Sequence, residues 1–167
     1  MSLLTILRYP DARLHTIAQP ISDFNQGLQR LIADMAETMY AAPGIGLAAT
    51  QVNVHRQLIV IDISETKDDL LVFINPKLLN KVGDCEREEG CLSVPGIYDK
   101  VRRAERITVT AQDAQGAFFT LEAEGLLAIC IQHEMDHLQG KVFVEHLSRL
   151  KQNRILAKIK KHARETM

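Results

Sequence analysis

His133, Glu134 and His137 stand within Gln132-His133-Glu134-Met135-Asp136-His137-Leu138-Gln139-Gly140, and their types and spacing describe metal-assisted hydrolysis. A helix turns once every 3.6 residues, so side chains four apart project from one face. Two imidazoles so placed grip one divalent metal. Glu134, beside the first, reaches a water bound to that metal and takes its proton. The competing reading is an amphipathic helix that merely carries these three residues. The preceding run, Leu126-Leu127-Ala128-Ile129-Cys130-Ile131, is wholly apolar apart from one thiol, so this helix is expected to be buried. Buried imidazoles need partners.

Two histidines leave a tetrahedral site one protein ligand short when the fourth position holds water. One large class of metalloproteases takes a histidine three residues beyond the glycine, where this chain has Phe143. Another takes a downstream glutamate, but Glu145 follows the motif too closely and Glu165 lies near the terminus. A thiolate from Cys91, in Glu88-Glu89-Gly90-Cys91-Leu92-Ser93-Val94-Pro95-Gly96, would complete the set and bring backbone amides with it. The alternative for Cys91 is a small buried hydrophobe. Cys130, three residues before His133, reads as pocket wall, with metal ligation as its alternative. Cys85, Cys91 and Cys130 form neither an even set nor a repeated spacing, so thiols are expected rather than disulfides.

Several elements must position these groups. An extended arm at Leu7–Asp11 ends in a turn at Pro10. A helix from Ser22, capped by Ser22 or Asp23, presents Phe24, Leu28, Leu31, Met35 and Met39 at three- and four-residue steps. It stops at Pro43-Gly44. Gly44-Ile45-Gly46-Leu47-Ala48-Ala49-Thr50-Gln51 is not a nucleotide-binding turn, which would follow a strand and open a helix. Its small residues let an extended segment lie against something bulky, with Gln51 presenting an amide; a glycine-rich corner with a solvated glutamine is the alternative. Gln57–Ile63 and Leu70–Ile74 read as a hairpin, Asn75-Pro76 as a turn into Lys77–Val82, and the residues before Glu88 as a polar loop. Arg106–Gln112 and Phe119–Glu122 make another hairpin across Asp113–Gly116. The metal-binding helix spans about Gly125 to Gln139, with Glu122 and Glu124 near its positive end. Lys141–Glu145 is a short link or strand. A final helix from Ser148 packs Leu150, Ile155, Leu156 and Ile159. His15, His55, His146 and His162 have no motif around them and read as surface or core residues.

The 167 residues, 46% hydrophobic and 25% charged, suit one soluble globular domain spanning 1–167. Arg8 and Pro10 interrupt any secretory signal, and no stretch approaches the ~18 apolar residues of a membrane span, so a cytoplasmic or organelle-matrix protein is expected. Net charge is −1, yet seven of the twenty basic residues follow Ser148 against the single acid Glu165. The body thus carries −7 and the basic tail helix, 148–164, lies in a segment of +6.

Three stretches, taken in order, resemble the motifs of peptide deformylase: Gly44–Gln51, Glu89-Gly90-Cys91-Leu92-Ser93 and Gln132–Leu138. Three motifs in order are a specific signal, and the likeness spans nearly the whole chain. The resemblance implies removal of the formyl group from the N-terminal methionine of new bacterial or organellar proteins. It implies Cys91, His133 and His137 as metal ligands, Glu134 as general base and acid, and Gln51 with the Leu92 amide as oxyanion donors. Ile45, Glu89, Leu126, Ile129 and Cys130 match the family's methionine pocket, and Gly44, Gly46 and Gly90 belong to the substrate-binding stretches. Arg87 stands where some members carry an apolar pocket residue, and Tyr98 where some carry arginine; fine substrate preference is what these departures touch. The family commonly works with Fe2+, with Ni2+, Co2+ or Zn2+ as substitutes, and ligand types alone do not choose among them. Expected partners are formylmethionyl nascent peptides, with no membrane and no DNA.

In some members the last helix contacts the ribosome, and a basic tail beside an acidic body suits ribosomal RNA; a solvated cationic face is the alternative. Two other functions compete: a zinc endopeptidase and a binding module with a structural metal. The expected architecture is α+β, with short antiparallel sheets around a central metal helix and the first and last helices packed outside.

Overall fold

The structure, a computed structural model, describes residues 2–165; Met1 and residues 166–167, the ends of the expected 1–167 unit, lie outside the described residues. Its architecture is α+β. Strands β1 (Gly46–Ala48), β2 (Leu58–Ile61), β3 (Leu71–Val82), β6 (Arg106–Gln112) and β7 (Phe118–Glu124) form an antiparallel sheet in the order β1-β2-β3-β6-β7. Strands β4 (Cys85–Cys91) and β5 (Val94–Arg103) form a separate two-stranded sheet. Helices α1 (Gln26–Ala41), α2 (Gly125–Leu138) and α3 (Arg149–Glu165) complete the fold. Among the described residues no helix is long and apolar enough to cross a membrane.

β2 explains the layering. Successive strand residues point to opposite faces, so Ile59 and Ile61 join Phe73, Val109, Ala128 and Ile131 on the α2 side. Leu58 and Val60 join Leu28, Met35 and Met39 on the α1 side. Both faces of β2 are buried, which is why its sequence is an uninterrupted apolar run. A third cluster, including Leu7, Tyr9, Val94, Val101, Phe143 and Ile155, ties the N-terminal arm and the small sheet to α3.

Several expected boundaries move, each for a local reason. α1 starts at Gln26 and its cap is Asn25, whose side chain accepts from the Leu28 amide at 2.9 Å. Asp23 instead accepts from the Asn25 side-chain nitrogen at 3.0 Å and so orients the cap. Asn75-Pro76 is no turn: β3 runs straight through with a bulge between Ile74 and Lys77. The bulge absorbs the donor that proline lacks, and Asn75, at φ 52°, bonds both backbone groups of Ile21 at 2.8 Å. The expected polar loop before Glu88 is largely strand β4, and Pro95-Gly96 lies inside β5, the tight turn falling at Leu92-Ser93. Of the link or strand expected at Lys141–Glu145, the structure has the link, with a 3-10 turn at Phe143–His146. Leu150 is 62% exposed, off the α3 stripe that buries Ile155 and half-buries Leu156 and Ile159.

Candidate active site

α2 is the central piece. Gln132 pins it: its side chain accepts from the Ala104 amide at 3.0 Å and donates to the Ala104 carbonyl at 2.9 Å. The helix thereby lies against the link between β5 and β6 while His133, Glu134 and His137 face the end of β4. His137 is fully buried, and His133 and Glu134 nearly so. One donor atom each from Cys91, His133 and His137 lies within 4.8 Å of the others. Cys91 Sγ is 3.3 Å from His137 Nε2. Cys130 is not part of this group; its thiol lies 3.9 Å from the Ile45 carbonyl, and burial pushes its pKa well up.

Phe143 occupies the place where a third histidine would stand in the other metalloprotease class. It is buried and stacks on His133 at a centroid distance of 6.1 Å. Glu145 is likewise engaged elsewhere, accepting from the Val142 amide at 2.9 Å and lying 3.1 Å from His15 Nε2.

The residues fit a divalent cation. A thiolate and two imidazoles converge as soft and borderline donors, with His137 Nε2 turned toward Cys91 Sγ, and the buried Glu134 Oε1 has no hydrogen-bond partner. Burial lowers the pKa of His137, with His133 and Arg103 adding to the effect, and this favours the neutral, ligating form. Burial pushes the Glu134 carboxyl up to about 7 against the pull of His133 and Arg103.

His133 has its orientation set from behind. Its Nδ1 lies 2.8 Å from Glu89 Oε1, leaving Nε2 for the ligand position. Burial disfavours the charged form of Glu89, but hydrogen bonds from His133 and Arg103 outweigh it and hold the carboxyl down. Arg103 grips Glu89 through two nitrogens at 2.6 and 2.9 Å and reaches Asp136 at 2.8 Å. Asp136 is in turn 2.7 Å from His146. Glu89 was expected in the pocket wall; it borders the cleft, but its carboxylate turns inward to this network.

Gln51 has its amide orientation determined by the backbone. The Ala48 N–H donates to its Oε1 at 2.9 Å, so Nε2 points to Ser93 Oγ at 3.1 Å and Cys91 Sγ at 3.5 Å. A cleft of about 1180 Å³ opens over these groups, bordered by Leu92, Ile45, Leu126, Ile129 and Cys130 among others. The three expected glycines each mark a close approach. A Cβ on Gly44 would come 2.7 Å from Leu92 Cδ1, on Gly46 2.6 Å from Glu134 Oε2, and on Gly90 2.5 Å from Tyr98 Cε1. Tyr98 is 64% exposed at the cleft rim, whereas Arg87 is exposed and outside the cleft lining.

Sequence reasoning missed Arg103, Ser93 and the bonding roles of Gln132, Asp136 and His146. A cue for Arg103 existed: strand alternation places it on the same face of β5 as Val101, and both are buried. The partners of Asp136 and His146 left no such trace, because the contacts join residues ten or more positions apart.

Comparison with known proteins gives a consistent result. The family model for polypeptide deformylase matches residues 3–153. A peptide deformylase of Chromobacterium violaceum is 63% identical over 167 residues, covering 100% of both chains. Peptide deformylase 2 of Nitrosomonas europaea is 62% identical over 98% of this chain and 89% of its own. The crystal structure of a peptide deformylase from Legionella pneumophila superposes with a TM-score of 0.94 at 49% identity, covering 98% of this chain and 97% of that one. With its three sequence motifs gathered around one helix in this fold, the chain belongs to the bacterial-type peptide deformylase family.

Proposed function

We propose that this chain acts as one catalytic domain whose cleft performs deformylation with Glu134 as the proton carrier and Gln51 and the Leu92 N–H as oxyanion donors. The reaction, removal of the N-formyl group from nascent peptides, is that of its family. Cys91, His133 and His137 would hold the metal, and the convergence of their donor atoms beside the unpartnered Glu134 oxygen is the observation that carries the reading. A divalent metal held there supplies Lewis acidity and lowers the pKa of a bound water toward neutrality. We assign Fe2+ from the family resemblance, with Ni2+, Co2+ or Zn2+ as substitutes.

Glu134 takes a proton from the attacking water as its oxygen bonds to the formyl carbon. The oxyanion that develops needs donors already aimed at it, and Gln51 Nε2 cannot flip away while Ala48 holds Oε1. The C–N bond then breaks, Glu134 returns its proton to the departing amine, and formate leaves. Burial raises the Glu134 carboxyl from its ordinary value, which makes it a better proton acceptor and helps it hold the proton for the return step. Ile45, Leu126, Ile129 and Cys130 line the methionine side chain's pocket, while Gly44, Gly46 and Gly90 keep the substrate-binding elements closely packed. β1 is the edge strand of its sheet and borders the cleft, which supports pairing with an extended peptide.

The test is formate release from formyl-Met-Ala-Ser by protein purified without oxygen and loaded with Fe2+ or Ni2+. Glu134→Gln should keep metal and lose turnover, and Cys91→Ala should lose both. Metal retained by Cys91→Ala would support the endopeptidase reading, which the burial of Phe143 under His133 disfavours. Full turnover in Glu134→Gln would remove Glu134 as the proton carrier, and no turnover by the metal-loaded wild type would support a structural metal.

A nascent-chain substrate and the bacterial relatives support a cytoplasmic reaction beside ribosomes. The exposed cations of α3, including Arg149, Arg154, Lys160 and Lys161, support attraction to ribosomal RNA. Cosedimentation with ribosomes at low salt should be lost on deleting residues 149–167; persistence would remove this part of the reading.

A further inference from the structure

A second groove, of about 770 Å³, lies between the beginning of β5 and the inner face of α3 and shares Arg8, Val94, Pro95 and Gly96 with the catalytic cleft. Its helix wall is Lys158, Ile159, His162 and Ala163, whose i, i+1, i+4, i+5 spacing puts them on one face. Tyr9, Ile97 and Ile159 form an apolar floor packed into the third core cluster. Arg8 and Lys158 are both exposed and place positive charge on its walls. At the junction a Cβ built on Gly96 would meet nothing within 4 Å, so the passage is open there. β5 pairs only with β4 among the described strands, leaving its other edge for an extended chain.

We propose that this groove receives the part of the substrate chain downstream of the third residue and favours acidic side chains there. The proposal rests on the deformylase reading of the cleft. A chain with its formylated end at Glu134 must leave the cleft, and Arg8, Pro95 and Gly96, the exposed residues among the four shared, border both the cleft and the groove and offer it a route. An extended tripeptide covers only roughly 10 Å, so residues beyond the third are the ones placed to reach the groove. The charge on Arg8 and Lys158 then selects carboxylates over ammonium groups.

The experiment compares formyl-Met-Ala-Ser with formyl-Met-Ala-Ser-Asp-Glu-Asp-Leu and formyl-Met-Ala-Ser-Lys-Lys-Lys-Leu at low ionic strength. The proteins are the metal-loaded wild type, Lys158→Glu and Lys160→Glu. Lys160 lies two residues on, about 200° around the helix, and does not line the groove. The acidic heptapeptide should show a KM roughly fivefold below the tripeptide's in wild type and Lys160→Glu. In Lys158→Glu that gain should vanish or pass to the lysine peptide, while tripeptide turnover stays the same. Equal KM values for the three peptides in wild type would overturn the groove proposal, as would equal losses in the two variants, which indicate a diffuse field. No turnover of the tripeptide by metal-loaded wild type would instead sink the deformylase reading itself.

Discussion

Gln51 shows how far a single side chain depends on its neighbours. Its amide would rotate freely on a surface, yet here Oε1 is taken by the Ala48 N–H and only Nε2 is presented to the site. Gln51→Ala should therefore lower kcat by roughly 10²- to 10³-fold with KM little changed, since in the proposed role the lost bond forms in the transition state. Steady-state kinetics on formyl-Met-Ala-Ser checks it. Gly46 carries a second prediction at this scale. Its φ is not positive, so the constraint is space: an alanine methyl would lie 2.6 Å from Glu134 Oε2 and 2.8 Å from Cys130 Sγ. Gly46→Ala should displace Glu134 and cost at least ~10-fold in kcat while metal content stays full, as measured by elemental analysis.

The junction of α1 and β2 depends on one carboxylate. Asp62, buried at the end of β2, accepts from the Tyr40 hydroxyl at 2.6 Å, the Ser64 hydroxyl and amide, and the Asp69 amide. Its own N–H donates to the Ile45 carbonyl, so the node also braces the segment leading into β1. Burial opposes ionisation, but these hydrogen bonds outweigh it and hold the Asp62 carboxyl down to about 2. A depressed carboxylate stabilises the fold above its unfolded pKa, near 3.9, and ceases to do so as pH falls through its folded value. The advantage of wild type over Asp62→Asn in urea unfolding should therefore be full above about pH 4. It should shrink as pH drops toward about 2. An advantage that grows on acidification would contradict this assignment.

For the molecule as a whole, Arg103 is the joint between the two-stranded sheet and the central helix. Its side chain is only 4% exposed and bridges Glu89 on β4 to Asp136 on α2. Arg103→Ala would leave the Glu89 carboxylate buried without its cation, a defect of about 3–5 kcal/mol. Chemical denaturation should register that loss. Because Glu89 also orients His133, metal affinity should fall roughly 10- to 100-fold, read by chelator competition. Glu89→Gln keeps the volume and removes the charge, so it should weaken metal binding with a smaller loss of stability. Equal stability losses in the two variants would show that the arginine's charge is not what the fold requires.

Local pattern alone determined much of the reading. The 3.6-residue period put His133 and His137 on one helical face, the apolar run before them showed that the helix is buried, and strand alternation and turn residues located both large-sheet hairpins. These are short-range constraints, expressed within a few residues of one another. The departures arose where a distant group supplies the missing partner. Asn75-Pro76 reads as a turn until Ile21 lies alongside to satisfy Asn75 and the bulge absorbs the proline. Leu150 reads as packed until the orientation of α3 leaves it in solvent. Glu89 borders the cleft, as the resemblance implies, but its carboxylate is drawn inward by Arg103, fourteen residues away, and His133, forty-four away. Buried polar groups must find partners wherever the chain brings them, and these pairings join residues far apart in sequence. The tertiary structure alone decided them, together with the groove that continues the cleft toward α3.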